Sequence, residues 1–178
     1  MGVVLGLCSR TGSAVAVAVD GDTFAGRWAV DLTAGGVPGQ VWHAAAGLPP
    51  ARAEALVRRA VDAVTEVATR RLADLLAELG PVEAVAVIVG DFPVPESVAA
   101  VLASHTLMHA AEGQLYRDAL LEAAAALGQR GVGLSRKRAA SRLDGDLAGT
   151  VKALDAVAGP PWRKEHKLAA VAALTAVV

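Results

Sequence analysis

Two groups of polar residues stand out in an otherwise apolar chain. One is an acid and histidine set, Asp91, His109, Glu112 and His166; the other is a basic set, Arg136, Lys137, Arg138, Arg163, Lys164 and Lys167. His109-x-x-Glu112 puts both side chains on one face of a helix, a spacing used by carboxylate-bridged metal sites and equally by a polar face with a hydrogen-bonded His. Asp91 follows an apolar run, so it stands at the C-terminal end of a strand, where ligand crevices of α/β sheets open; an Asp there also serves as a turn cap. As a catalytic group, Asp91, His109, Glu112 and His166 suit hydrolysis assisted by Mg²⁺ or Mn²⁺. The sequence identifies no metal-ligand set beyond them, and no cofactor is otherwise implied.

The basic set belongs to a charge asymmetry that the net charge of -1 conceals. Residues 1–129 carry 8 Lys and Arg against 14 Asp and Glu, and residues 130–178 carry 9 against 4. A basic region joined to an acidic larger part is compatible with a patch for nucleic acid or phosphate, and also with a mixed solvated surface. Ser9-Arg10-Thr11-Gly12-Ser13 reads as a hairpin turn or a phosphate cradle, without the Walker or Gly-x-Gly-x-x-Gly pattern. Trp28, Trp42 and Trp162 either stack bases or anchor the core.

At 178 residues the chain is the size of one domain, and a single domain over 1–178 is expected. Hydrophobic residues make up 54% and aromatics only 3%, so the core must be close-packed Ala, Val and Leu, which excludes a disordered chain. Cys8 is the only cysteine, so no internal disulfide forms, and within an apolar strand it reads as an inert thiol. No apolar stretch reaches the roughly 18 residues of a membrane span, and the N-terminus lacks a basic leader. A cytoplasmic location is expected.

Runs at Val3 to Cys8, Ala14 to Val19 and Thr23 to Leu32, the last two joined by Asp20-Gly21, predict an antiparallel meander. Residues 50–79 keep helical apolar spacing up to Gly80-Pro81, and Val82 to Val89 reads as a central strand covered on both faces. Helices are expected over Pro95 to Ser104 and Met108 to Leu127, then a short strand at Gly131 to Leu134. A helical region from Arg136, interrupted at Gly145, and a last helix from about Trp162 complete the chain. Gln40 to Gly47 shows no period. This order predicts an α/β fold with a mixed sheet, strand order 3-2-1-4-5, and helices on both faces.

That order resembles the RNase H-like superfamily, and within it the RuvC-like Holliday-junction resolvases. Residues 4–13 look like the family's first strand and turn, Val85 to Asp91 like its fourth strand, and residues 165–174 like its final helix. The resemblance implies carboxylates from these three elements clamping two Mg²⁺ ions. Here the corresponding positions fall on Cys8 or Ser9, near Ile88 or Val89 with Asp91 the nearest acid, and on or beside Lys164 and Lys167 with only Glu165 acidic. Neither thiol nor hydroxyl is a hard anionic ligand, and the lysines oppose the helix dipole unless carboxylates or a bound anion compensate.

Three functions are therefore expected to compete. The leading one is a nucleic-acid-binding or accessory module of RuvC-like fold that lacks the two-metal site. The second is a metal-dependent nuclease or hydrolase with a rearranged acid and His site. The third is a structural homo-oligomer, with a homodimer its simplest form.

Overall fold

The computed structural model describes residues 2–176. A five-stranded sheet, in the order β3-β2-β1-β4-β5, forms the middle layer. Its strands are β1 (Val3–Arg10), β2 (Ser13–Asp20), β3 (Thr23–Asp31), β4 (Val82–Val89) and β5 (Gly131–Ser135). The first three form the antiparallel meander, while β1, β4 and β5 run parallel, as the expected order required. The turn between β1 and β2 is only Thr11-Gly12: Ser9 and Arg10 already pair with Ala14 and Ser13. Gly12 takes φ +73°, a left-handed conformation that glycine adopts without steric cost. With Ser9 and Arg10 inside the ladder, this segment is a hairpin and forms no phosphate-cradling loop.

Side chains alternate along the strands between two apolar cores. Leu5, Leu7, Ala16, Ala18, Val85 and Val87 face α1 (Val41–Ala45), α2 (Pro50–Leu79), α3 (Val98–Leu102) and α4 (His105–Ala126). Val4, Cys8, Val17, Val19, Ala86 and Ile88 face α5 (Arg136–Asp144), α6 (Ala148–Ala158) and α7 (Lys164–Ala176). The 30 residues of α2 match the helix expected from spacing. Helix α1 was not expected, because five residues are too few to show a period. The single basic helical region divides at Gly145 into α5 and α6. No helix among the described residues is long and apolar enough to cross a membrane.

Helix α7 sits unusually close to the sheet. Its buried residues Ala169, Ala170, Ala172 and Ala173 lie over a strip whose sheet side chains are absent or small, at Gly6, Ala84 and Ala86. A Cβ on Gly6 would overlap the carbonyl oxygen of Ala169 and come within 2.9 Å of the Ala173 nitrogen. The obstacle is helix backbone, which cannot rotate away as a side chain would. Gly6→Ala should therefore cost about 1–3 kcal/mol by overpacking, or roughly 2–4 °C of Tm for each kcal/mol in a chain of this size. Gly35→Ala, which meets nothing within 4 Å, should stay within about 0.5 kcal/mol in the same thermal melts.

Candidate functional site

The C-terminal ends of β1, β4 and β5 and the start of α7 meet at one end of the sheet. Cys8, near the end of β1, is fully buried and faces α7. Arg136, the first residue of α5, brings Nη2 within 3.6 Å of its Sγ. Burial pushes the Cys8 thiol up, and the Arg136 charge offsets this only in part. The thiol is thus protonated at neutral pH and inert, as expected for a strand cysteine.

Arg10 pairs with Glu165 in the first turn of α7. Burial alone would raise Glu165; hydrogen bonds from its own backbone and from Arg10, with the charges of Arg10 and Arg136, outweigh it and hold the carboxyl below its usual range. Glu165 is therefore an anion already engaged by arginine.

A second guanidinium, missed in the sequence, completes this end. Arg117 of α4 lies against the α-carbons of Gly90 and Gly113; a Cβ at either glycine would overlap it. Burial, and then the neighbouring Arg136 charge, lower its pKa. Among the described residues neither Arg117 nor Arg136 has a carboxylate within ion-pair distance. Asp91 acts on Arg117 only through space: its Oδ2 accepts the Lys137 backbone N–H at 2.9 Å and so caps α5. The expected turn cap is thus a helix cap, reaching across 46 residues of sequence.

His166 is likewise structural in its contacts. Its Nδ1 accepts the Arg163 N–H at 3.1 Å, the reach-back of a capping box at the start of α7, and its ring stacks on Trp162 at 5.7 Å. Burial and the charge of Arg27, against the pull of Glu165, hold the imidazole below its ordinary pKa. Arg27 itself donates to the carbonyls of Gly159, Pro160 and Pro161 at 2.6–2.8 Å, tying β3 to the segment before α7. Between β2, β3 and α7 lies a groove of about 350 Å³ lined by Cys8, Arg10, Arg27, Trp28, Arg163 and His166. The basic residues Lys137, Arg138, Arg163 and Lys164 are exposed around this end, with Lys167 half-buried.

His109 and Glu112 belong elsewhere, at the start of α4 against α1. Glu112 is buried, with its Oε1 accepting the His43 ring Nδ1 at 2.7 Å and the His43 backbone N–H at 3.3 Å. His43 Nε2 lies 3.3 Å from His105 Nε2, and His109 Nδ1 lies 3.9 Å from Glu112 Oε2. The expected set therefore separates: His109 and Glu112 cluster with His43 and His105, whereas Asp91 and His166 cap different helices. His105 and His109, at i,i+4, could have been recognised as one helix face. His43, in a helix of five residues, carried no such signal.

The donors at the strand ends do not fit a pair of Mg²⁺ ions. A buried neutral thiol, one arginine-paired Glu165 and two arginines replace the cluster of carboxylates that hard dications require. Among the described residues the group of three or more His, Cys, Asp or Glu close enough to share an ion is His43, His105 and His109.

The Glu165 environment sets a pH dependence. Its lowered folded pKa adds stability above the ordinary glutamate range, near pH 4.3, and that contribution is lost as pH falls through the folded value. In denaturant titrations, the stability gap between the unmodified protein and Glu165→Gln should be constant from about pH 7 to 5 and shrink below about pH 4. A gap that stays level to pH 3 would mean that the carboxylate has no preferential partner.

No family model and no curated protein matches the chain. Solved structures do. RuvC of T. thermophilus in complex with a Holliday junction substrate aligns with 98% of this chain and 92% of its own, at a TM-score of 0.60 and 17% identity. The Thermus thermophilus RuvC structure aligns over 97% and 92%, at a TM-score of 0.58 and 16% identity. With the strand order 3-2-1-4-5 and helices on both faces, the chain has the RNase H-like fold of RuvC.

Proposed function

We propose that this chain is a nucleic-acid-binding module of RuvC-like fold that docks a phosphate backbone where catalytic relatives would hold metal. The observation that carries the reading is the pair Arg117 and Arg136, half-buried at the strand ends with no carboxylate within ion-pair distance among the described residues. Asp91, Asp118 and Glu165 act on these two arginines only through space, and a phosphate oxygen would supply the direct contact with charge-assisted hydrogen bonds. The surrounding Lys137, Arg138, Arg163 and Lys164 extend the positive surface over which a strand would run. One neighbour in fold is itself bound to a Holliday junction, which makes branched DNA the first substrate to test. Cleavage is not part of the proposal, because the residues at the fold's metal position are poor ligands for Mg²⁺.

Fluorescence anisotropy with a four-way junction, a duplex and a single strand, across salt concentrations, tests it. Binding should weaken steeply with salt, and Arg117→Ala or Arg136→Ala should each cost about 1–2 kcal/mol and reduce the salt slope by about one. Triple substitution of Lys137, Arg138 and Lys164 by Ala should reduce the slope further, whereas Arg52→Ala with Arg58→Ala on α2 should not. Equal affinity in all variants would overturn the reading. An incision product in Mg²⁺ or Mn²⁺ that disappears in Asp91→Asn would assign the chain to the metal-dependent nucleases instead.

A further inference from the structure

We propose that His43, His105 and His109 form a binding site for one transition-metal dication of the Zn²⁺ class, with Glu112 as the carboxylate that orients it. The site lies on the α1 and α4 side of the sheet, apart from the arginines at the strand ends, and it stands independently of the nucleic-acid reading.

The chemistry starts at Glu112. Its 2.7 Å contact with the His43 Nδ1 occupies that ring nitrogen and turns the Nε2 outward as the nitrogen available to a metal. A carboxylate behind a histidine in this way holds ring and tautomer for coordination and raises ligand basicity. That Nε2 points at the Nε2 of His105, 3.3 Å away. Two nitrogens on a tetrahedral ion with bonds of about 2.0–2.1 Å stand about 3.3–3.4 Å apart, so this separation is already one edge of a zinc tetrahedron.

The third corner is His109. One nitrogen from each of the three rings lies within 4.8 Å of the others. Ring centroids are 5.1 Å apart for His43 and His105, 4.6 Å for His43 and His109, and 4.5 Å for His105 and His109. A hydrogen bond between two imidazoles accounts for one close pair; it does not account for a third ring held against both. His105 and His109 are exposed one turn apart at the start of α4, so small side-chain rotations close the remaining distance without moving backbone.

The less mobile partner is His43, and two contacts hold its helix. Its backbone N–H donates to Glu112, and the Tyr116 hydroxyl donates to the Gly39 carbonyl at 3.1 Å, just before α1. Three neutral nitrogen donors select a borderline ion such as Zn²⁺, Cu²⁺, Ni²⁺ or Co²⁺ over Mg²⁺ or Ca²⁺. With two of three ligands exposed, the fourth position opens to solvent, the arrangement of a site that can take water or an exogenous anion.

Equilibrium dialysis of the full chain against ZnCl₂, read by a chromophoric competitor in the absence of nucleic acid, tests the assignment. One Zn²⁺ should bind per chain, a millimolar excess of Mg²⁺ should not displace it, and Co²⁺ should give the intense visible bands of a low-coordinate centre. His105→Ala and His109→Ala, both at exposed positions, should keep the far-UV spectrum and each weaken Zn²⁺ binding by at least about 10-fold. Glu112→Gln should weaken it by about 10–100-fold. Absence of stoichiometric binding, or binding unchanged in both histidine variants, would overturn the proposal; loss of DNA affinity in the arginine variants would leave it unaffected.

Discussion

The contact between helix α7 and strand β1 at Gly6 sets the position of everything at the cationic end. Because helix backbone rests against a strand position without a side chain, α7 has one height above the sheet and little freedom to slide. Cys8 lies two residues further along β1, about 6–7 Å at the strand rise, and Glu165 lies four residues back from Ala169, about 6 Å at the helix rise. The two arrive at the same level, and the long side chain of Arg10, two residues further along β1, meets Glu165 there. The same geometry would bring carboxylates together if the sequence placed them there. The residues presented there are instead a thiol, a glutamate and arginines.

The inversion of charge extends beyond single positions. Arg117 has room only because Gly90, at the end of β4, and Gly113, on α4, leave their Cβ positions empty for its guanidinium. Arg136 opens α5, whose capping comes from Ser135 and Asp91. A basic side chain at a helix start opposes the dipole by about 0.3–1 kcal/mol. The end of the sheet therefore accumulates arginines at positions where local physics disfavours them, and the acid nearest to hand, Asp91, spends its hydrogen bond on backbone.

The fold was legible because its signals are periodic. The 30-residue α2, the unbroken apolar β4 and the meander each repeat a pattern over many residues, and their order fixed the sheet topology. What escaped was short or aperiodic. Helix α1, Val-Trp-His-Ala-Ala, has no second turn to display a period, so His43 had no address in space. Arg117 lies within the helical stretch expected for residues 108–127, and only the fold shows that its guanidinium crosses to the end of β4. Asp91 was expected at a strand end and His166 as part of a catalytic set, and both instead hydrogen-bond backbone at helix starts. Caps and ligands share that sequence signature, and the contacts, not the spacing, distinguish them.

Helix α4 carries both chemistries, and their spacing along it decides whether they interfere. From His105 to Arg117 the helix rises about 18 Å, and from His109 about 12 Å. The Arg117 guanidinium, however, reaches back to Gly113, one turn from His109, and is half-buried, so a dication held by the histidines is only partly screened from it. The chemical preferences differ as well: imidazole nitrogens as ligands favour borderline cations, whereas guanidiniums suit carboxylate or phosphate oxygens. The helix thus permits an anion-binding end and a cation-binding cluster on one rigid element, each governed by its own neighbours.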